Sequence, residues 1–251
     1  MVLSIVEILL LAGLIVFITH ALEAVTGFGC SVLAFPFMLF LMNDMEHVKI
    51  ILTILAWLLA VYFATTKYRD IYWKQFAIIV LLSGAGMPAG MFLFKSLEPS
   101  LLVKSLGLFI VVSAAVQLYC SVSRVKTIPY FCATLSRGIG YLILFSGGIV
   151  HGAFAVGGPL IILYSTKKIP DKARFRATMC LLWTTLNTVL ITHYFFQGKI
   201  TVRIGYDLLF LLPFLTGGVI VGEIIHKRVS ENLFKKIVFT SLLLVGMVMI
   251  F

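Results

Sequence analysis

Long apolar runs alternate with short polar or basic stretches along almost the whole chain. Each run approaches the roughly 20 residues that a helix needs to cross a hydrocarbon core about 30 Å thick. The pattern therefore predicts an all-α polytopic membrane protein with five apolar segments in each half. The predicted segments are 2–19, 24–42, 48–66, 72–94 and 100–120, followed by 129–148, 149–166, 176–196, 204–225 and 233–251.

Two glycine-rich stretches, Glu23–Pro36 and His151–Tyr164, lie within these runs. A shift of 128 positions superimposes them and aligns Gly29 with Gly157. Glycine weakens a helix and proline removes a backbone donor, so each stretch is predicted to be a broken helix or a re-entrant turn. Inside a membrane such backbone persists only where it is buried in protein or lines a wet cavity. Both stretches are therefore candidate binding elements.

Close helix packing is the simpler explanation of a single Gly-x-Gly pattern, because small residues let apolar helices approach each other. The duplication, with an ionisable residue at the start of each copy, favours a binding site instead. Transporters build such sites near the membrane midplane from broken helices of two repeats. We therefore expect the two stretches to form a midplane site.

The internal similarity extends beyond these stretches. Leu82–Lys104 resembles Phe214–Lys236 after a shift of 132 positions, which aligns Gly86 with Gly218. Because each half contains an odd number of segments, the second copy enters the membrane from the opposite side, and the repeats are predicted to be inverted. The same parity holds if the first two segments of each half form a hairpin, so eight to ten transmembrane segments are expected.

The domain organisation follows from this repeat. The first transmembrane repeat is predicted over 1–120, a linker over 121–138 and the second repeat over 139–251, with its first segment beginning near 129. Hydrophobic residues make up 61% of the 251 positions and charged residues only 12%, with a mean hydropathy of +1.10. These values exclude an ordinary soluble domain. The sequence contains no region that resembles a soluble module.

Basic residues predict the orientation of the chain. The formal net charge is +10, which in a soluble protein would suggest nucleic-acid binding, but here the basic residues lie between apolar segments. If every segment reverses sides, one face holds 15 of the 20 lysines and arginines, in loops near 20–23, 67–74, 121–137, 167–176 and 226–236. By the positive-inside rule this face is cytoplasmic, and both termini are outside. No nucleic-acid partner is expected.

Ionisable residues within apolar segments are costly, so each suggests a function. His20 and Glu23 are three positions apart and precede the first glycine stretch, and His151 occupies the position equivalent to Glu23. All three are predicted to handle protons or to contact substrate. The alternative for His20 and Glu23 is that they lie near the bilayer edge and are simply hydrated.

A broken helix directs unpaired N–H groups and the positive end of its dipole into a cavity, which favours small oxyanions. No lysine or arginine lies within either glycine stretch, so main-chain donors are expected to bind the anion. A cation bound by the freed carbonyls remains the alternative. The predicted substrate-binding residues are Thr26, Gly27, Gly29, Cys30, Ser31, Gly152, Gly157, Gly158, Pro159 and Asn187.

Asn187 belongs to a polar group with Thr184, Thr185 and Thr188 inside the eighth segment. These side chains either face the site or hydrogen-bond between helices, and the sequence favours neither. Two ion pairs are also expected near the ends of the ninth segment. Glu223 should pair with Lys227 and Arg228, and Asp207 should pair with Arg203 four positions away.

No cofactor and no metal are predicted, since the four cysteines have no CxxC or metal-ligand spacing. The expected partners are a small anion and membrane lipid, and a homo-oligomer is compatible with the sequence. No catalytic motif such as His-Glu-x-x-His is present, so an enzyme is not predicted.

At Gly27–Pro36 and at the basic stretch Pro170–Thr178, the chain resembles the sulfite exporter TauE/SafE family of membrane transporters, also called TSUP. The resemblance covers nearly the full length. It departs from the family pattern at Cys30 and Ser31, where glycines are frequent, and at Pro159 and Tyr164 in the second copy. The resemblance implies an inner-membrane carrier of bacterial type for sulfite, sulfoacetate, thiosulfate or related small organic anions.

Together these features predict a secondary transporter that works by alternating access, coupled to protons or to membrane potential. A passive anion channel is the first alternative. The second is an intramembrane enzyme that uses His20, Glu23 and Cys30, or His151. Flux without chemical change of the substrate would exclude the enzyme, and counterflow would exclude the channel.

Overall fold

The computed structural model describes residues 4–122, 137–169 and 171–226, together with the single residues 243 and 247. Within these ranges the chain forms nine α-helices, one short 3-10 turn at Tyr68–Asp70 and no strand. The helices are α1 Ile5–Thr26, α2 Cys30–Met42, α3 Met45–Thr66, α4 Trp73–Ser96, α5 Pro99–Val122, α6 Arg137–Phe154, α7 Gly158–Lys168, α8 Lys172–Phe196 and α9 Val202–His226. The predicted all-helical membrane fold is confirmed.

Side-chain caps explain where three helices begin. Ser4 and Glu7 form a reciprocal capping box at the start of α1. The side chain of Asp44 accepts a hydrogen bond from the N–H of His47 at 3.0 Å, and Asp171 accepts one from the N–H of Arg174 at 2.8 Å. Each side chain satisfies a donor that has no partner within its own helix.

Two predicted segment boundaries are wrong. Helix α1 passes through the predicted loop at 20–23 without interruption and ends at Thr26, and α6 passes the predicted boundary at 148 and ends at Phe154. The helices end where glycine or a left-handed residue stops them, which is later than the hydropathy indicates. Most of the linker and the last segment, 233–251, lie outside the described residues apart from the two single positions.

Among the described residues, five helices are long and apolar enough to cross a membrane: Val6–Thr26, Met45–Thr66, Trp73–Ser96, Ala173–Phe196 and Val202–Ile225. Helix α2, with 13 residues, and α7, with 11, are too short to cross at a rise of about 1.5 Å per residue. By length, α1 can therefore cross the membrane fully, whereas α2 cannot.

Contacts divide the chain into two compact units, and each combines two segments that are distant in the sequence. The first unit is Met1–Leu81 with Ser165–Arg228, and the second is Leu82–Tyr164 with Val229–Phe251. In the first unit α1 packs along α9 and α3 packs along α8, while α2 packs against α1 and α3.

Glycines permit the close contact between α1 and α9 in the first unit. A methyl group on Gly218 would clash with the main chain at Phe17, and one on Gly222 would clash with the main chain at Ala21. Gly13 on α1 packs against the ring of Phe214 in the same way. Such small-residue contacts stabilise helix pairs in lipid, where apolar burial alone provides little driving force.

The second unit contains the same kind of contact between α4 and α6. Gly86 lies against the main chain at Phe145, and Gly148 lies against the main chain at Ser83. The hydroxyl of Ser83 also donates to the carbonyl of Leu144 at 3.2 Å. The packing interpretation of the glycines therefore holds for this helix pair.

The two units use equivalent residues for this packing. Gly86 aligns with Gly218 after the shift of 132 positions, and their partners Phe145 and Phe17 differ by the shift of 128 positions found for the glycine stretches. The next turn repeats the relation, with Gly90 against Ile149 and Gly222 against Ala21.

Candidate functional site

The first glycine stretch breaks the helix, as predicted. Helix α1 ends at Thr26, Gly27 has φ 82° and Gly29 has φ 103°, and α2 begins at Cys30. Both φ values lie in the left-handed region, which only glycine adopts without strain. We call this segment with its surrounding side chains the first break.

Main-chain and side-chain bonds hold this turn. The N–H of Gly27 donates to the carbonyl of Glu23 at 2.6 Å, which closes α1 with a left-handed cap. The hydroxyl of Thr26 lies 3.0 Å from the carbonyl of Leu22 and 2.8 Å from that of Phe28. Thr26, a predicted substrate contact, therefore has local partners within the turn.

Glu23 connects the end of α1 to the start of α2. Its side chain is buried, and Oε2 accepts a hydrogen bond from the N–H of Cys30 at 3.0 Å. Because Cys30 is the first residue of α2, the carboxylate lies at the positive end of that helix dipole. The position predicted for a substrate anion thus adjoins a carboxylate of the chain itself.

His20 lies one turn before Glu23 on α1 and is completely buried. Its Nδ1 is 2.9 Å from the carbonyl of Val16, so Nδ1 must carry the proton of this bond. Its Nε2 is buried and has no hydrogen-bond partner in the described part of the chain. Burial of both His20 and Glu23 in protein argues against simple hydration at the bilayer edge.

Space remains open at the start of α2. A methyl group placed on Gly29 would meet no atom within 4 Å, and Ser31 is half-buried. The thiol of Cys30 is buried and lies 3.7 Å from the hydroxyl of Ser31. The α2 N-terminus therefore presents small side chains beside unfilled space.

Arg176 is the residue that sequence reasoning missed. The sequence predicts a basic loop at this position, but Arg176 lies in α8 and its side chain is only 12% exposed. A methyl group on Gly27 would lie 3.2 Å from both Cα and Cγ of Arg176. Trp183, two turns further along α8, donates from Nε1 to the carbonyl of Gly27 at 3.1 Å.

The guanidinium of Arg176 stacks on Phe63, with Cζ 3.8 Å from the ring centroid. Its NH2 nitrogen is 3.7 Å from Oε1 of Glu223. Glu223 therefore has a partner that the sequence did not predict, and the expected partners Lys227 and Arg228 lie outside the described residues. Helix α8 thus brings a cation to a break whose own sequence has none.

One local pattern could have indicated this placement. Asp171 caps α8, so the helix begins at Lys172 and Arg176 falls in its second turn rather than in a loop. Counting by helical periodicity, Arg176, Cys180, Trp183 and Asn187 are at positions i, i+4, i+7 and i+11 and share one face of α8. Three of these four are buried, and Arg176 is nearly so.

Asn187 is buried on this face, 11 residues or about 16 Å along the helix axis from Arg176. The threonines around it have structural partners. Thr184 and Thr185 donate to carbonyls of α8 itself, and Thr188 both donates to Thr184 and accepts from Nε1 of Trp57 at 2.8 Å. At Thr188 the structure supports the bonding between helices that the sequence left open.

The second glycine stretch breaks at the equivalent positions. Helix α6 ends at Phe154, Ala155 has φ 58° and α7 begins at Gly158. The N–H of Ala155 donates to the carbonyl of His151 at 2.7 Å. This bond corresponds to the cap that ends α1, so the second predicted break is also present.

Its predicted site residues lie in tight packing. His151 is buried, and a methyl group on Gly157 would clash with the carbonyl of Gly147 and lie 2.7 Å from Cβ of His151. Gly152 lies against the main chain of Met87. Gly158 and Pro159 form the first turn of α7 and are buried, where proline is tolerated because that turn needs no N–H partner.

A second group of charges lies elsewhere in the first unit, at the start of α3. Nε2 of His47 is 2.7 Å from Oδ2 of Asp207, 160 positions away in the sequence. Asp207 therefore has a distant partner, in addition to any contact with Arg203, the partner expected from the sequence. Lys199 forms an ion pair with Glu46. Lys49 is buried in α3, with Nζ 5.6 Å from the ring centroid of Tyr194.

Among the described residues, no group of three or more His, Cys, Asp or Glu side chains is placed to hold a metal ion. Cys30 and Cys180 are free thiols, and both are buried. The chemistry available at the first break is therefore that of a carboxylate, a guanidinium and main-chain N–H groups.

Comparison with known proteins gives one match. The family model described as "Sulfite exporter TauE/SafE" matches residues 11–249, nearly the whole chain. No curated protein and no solved structure matches the sequence.

Proposed function

Because the chain belongs to the sulfite exporter TauE/SafE family of membrane transporters, we propose that it carries small sulfur-containing or organic anions across the inner membrane. Sulfite, thiosulfate and sulfoacetate define the proposed substrate class. The five long apolar helices make it a multi-pass membrane protein. The finer elements of the proposal are the substrate, the coupling ion, alternating access between inverted repeats, and termini on the non-cytoplasmic side.

The observation that carries the proposal is the paired interruption of helices at equivalent residues. After the shift of 128 positions, the end of α1 at Thr26 corresponds to the end of α6 at Phe154, and the start of α2 at Cys30 to the start of α7 at Gly158. Breaking a helix within a membrane segment is expensive. Two equivalent breaks are better explained by substrate binding than by packing alone.

At the first break an anion and Glu23 would compete for the same donors. The N–H of Cys30 bonds to the carboxylate of Glu23, and open space adjoins Gly29. A substrate anion approaching this helix end is attracted by the dipole and repelled by the carboxylate. Neutralising Glu23 would therefore favour anion binding.

This competition provides a physical basis for proton coupling. A proton on Glu23 removes its charge and weakens its bond to Cys30, so a proton and an anion would bind together. His20, with its buried Nε2, lies one turn away and could receive or supply that proton. His151 holds the equivalent position in the second half, and imidazole can carry a proton at physiological pH.

The test is anion flux in proteoliposomes that contain the full chain. We expect uptake of labelled sulfite or thiosulfate that is accelerated by an inward proton gradient, together with counterflow from preloaded vesicles. Glu23→Gln and His151→Gln should each retain uptake but lose most of its dependence on the gradient. Glu7→Gln, at the exposed start of the same helix as Glu23, is the matched control and should behave like wild type.

Several results would contradict this proposal. Unchanged gradient dependence in both variants would remove the proton role from Glu23 and His151. Currents far above carrier turnover, without counterflow, would identify a channel instead of a carrier. Absence of flux for every sulfur oxyanion and small carboxylate tested would remove the proposed substrate class.

A further inference from the structure

Arg176 has an unusual environment for a structural ion pair. Its side chain is nearly buried, yet its Nε and NH2 atoms have no hydrogen-bond partner in the described part of the chain. The nearest carboxylate oxygen, Oε1 of Glu223, is 3.7 Å from NH2, which is too long for a hydrogen bond. Buried charged donors are normally satisfied, so these two atoms indicate a missing acceptor.

The stacking on Phe63 determines where such an acceptor would bind. With Cζ 3.8 Å from the ring centroid, one face of the guanidinium is covered by the aromatic ring. Its N–H groups point outward in the plane of the guanidinium, and the buried Nε and NH2 atoms at that edge have no acceptor among the described residues. Two parallel N–H groups match two oxygens of a carboxylate, sulfonate or sulfite group.

The neighbours of Arg176 connect this edge to the first break. The main chain and Cγ of Arg176 pack directly on Gly27, and the indole of Trp183 fixes the carbonyl of Gly27. Even a methyl group at position 27 would lie 3.2 Å from Cα and Cγ of Arg176, which is tighter than an ordinary van der Waals contact. The glycine therefore permits a close approach that places an arginine beside the helix break.

We propose that Arg176 binds the oxyanion group of the substrate at the first break, and that Glu223 is the internal anion that the substrate displaces. Glu223 is 40% exposed and lies three residues before the end of α9, so it can leave the guanidinium at a lower cost than a fully buried carboxylate. The inference rests on the proposed function as an anion carrier and names the side chain that recognises the anion. Under this inference, Arg176 on α8 determines substrate specificity together with the first glycine stretch.

The test is anion affinity of the full chain in detergent, measured by calorimetry with sulfite and with thiosulfate. Loss of a charge-assisted bidentate contact should weaken binding by roughly 10- to 100-fold in Arg176→Gln. Arg176→Lys keeps the charge but lacks the planar fork, so it should also bind weakly. Arg174→Gln removes an exposed arginine from the same helix and should stay within about twofold of wild type.

Glu223→Gln distinguishes a role in anion recognition from a structural role because the two roles predict different changes in anion affinity. If Glu223 competes with the anion, its neutralisation tightens binding several-fold. If the pair is only structural, both Arg176→Gln and Glu223→Gln lower the melting temperature and leave anion affinity unchanged. Because Glu223→Gln retains the arginine, it gives a result even if Arg176→Gln fails to fold.

Weakened binding in the Arg176 variants, with tighter binding in Glu223→Gln, supports the inference. Unchanged affinity in folded Arg176 variants, or weaker binding in Glu223→Gln, overturns it. If Arg176→Gln keeps the flux and the anion affinity of wild type, this inference is wrong but the carrier function is not affected. Arg176-dependent binding without any flux would instead overturn the carrier function and leave the anion site in place.

Discussion

Ala155 and Gly27 hold the same left-handed backbone position in the two helix breaks, with φ 58° and 82°. Glycine adopts this conformation freely, whereas an alanine pays a steric penalty of about 1–2 kcal/mol. The second break therefore persists against a local preference. Strain of this kind is concentrated at functional positions, where the surrounding structure maintains it.

Exchange of these two residue types should have opposite effects on stability. Gly27→Ala should lower the free energy of unfolding by about 1–2 kcal/mol, because the new methyl group adds strain and lies 3.2 Å from Arg176. Ala155→Gly should leave stability unchanged or raise it by up to about 1 kcal/mol. Melting temperatures of the purified variants test this prediction. Destabilisation of equal size in both would show that the backbone conformation is not the cause.

At the level of helices, the contact of α3 with α9 depends on a polar pair that joins distant parts of the chain. His47 and Asp207 are 2.7 Å apart and only 8% and 13% exposed. Glu46 and Lys199 form a second pair, which is 44% and 29% exposed. Removing one partner of a buried pair leaves the other partner buried without a hydrogen bond, which costs more than at an exposed pair. The coupling energy of His47 with Asp207 should therefore exceed that of Glu46 with Lys199.

A double-mutant cycle tests this difference. Alanine at His47, at Asp207 and at both should give a coupling energy of about 1–3 kcal/mol, because each single change leaves a nearly buried polar group without its partner. The same cycle on Glu46 and Lys199 serves as the matched control and should give less than about 1 kcal/mol. Equal coupling in the two cycles would contradict the burial argument.

For the whole molecule, the distribution of basic residues predicts which loops face the cytoplasm. Lys67 and Lys74 belong to the predicted cytoplasmic face, whereas Lys95 and Lys104 belong to the opposite one, and all four side chains are exposed. The two compact units combine helices from both halves of the chain. The side of the membrane on which each loop lies therefore depends on the entire chain. It is tested on intact cells.

Single cysteines introduced at these four lysines in a cysteine-free background should report the topology. We expect a membrane-impermeant maleimide to label positions 95 and 104 in intact cells, and positions 67 and 74 only after permeabilisation. Labelling of all four from outside would indicate misinsertion. The reverse pattern would place both termini in the cytoplasm and overturn the predicted orientation.

The sequence by itself determined the properties that depend on neighbouring residues. Apolar length predicted the helices, and the glycines of each stretch predicted the two breaks, because backbone freedom at Gly27 and Gly29 is local. Segment ends were predicted less well, because the apolar runs stop before Glu23 and His151, whereas the helices continue past both residues to Thr26 and Phe154. The internal repeat aligns both breaks by sequence alone.

Tertiary structure alone decided which distant side chains meet. Arg176 is 149 positions from Gly27 and His47 is 160 positions from Asp207, and no local rule pairs them. Helices that are apolar on all sides do not reveal by hydrophobic periodicity which face turns inward. Their partners are selected by close fit at small residues such as Gly218, and that fit exists only after the helices pack.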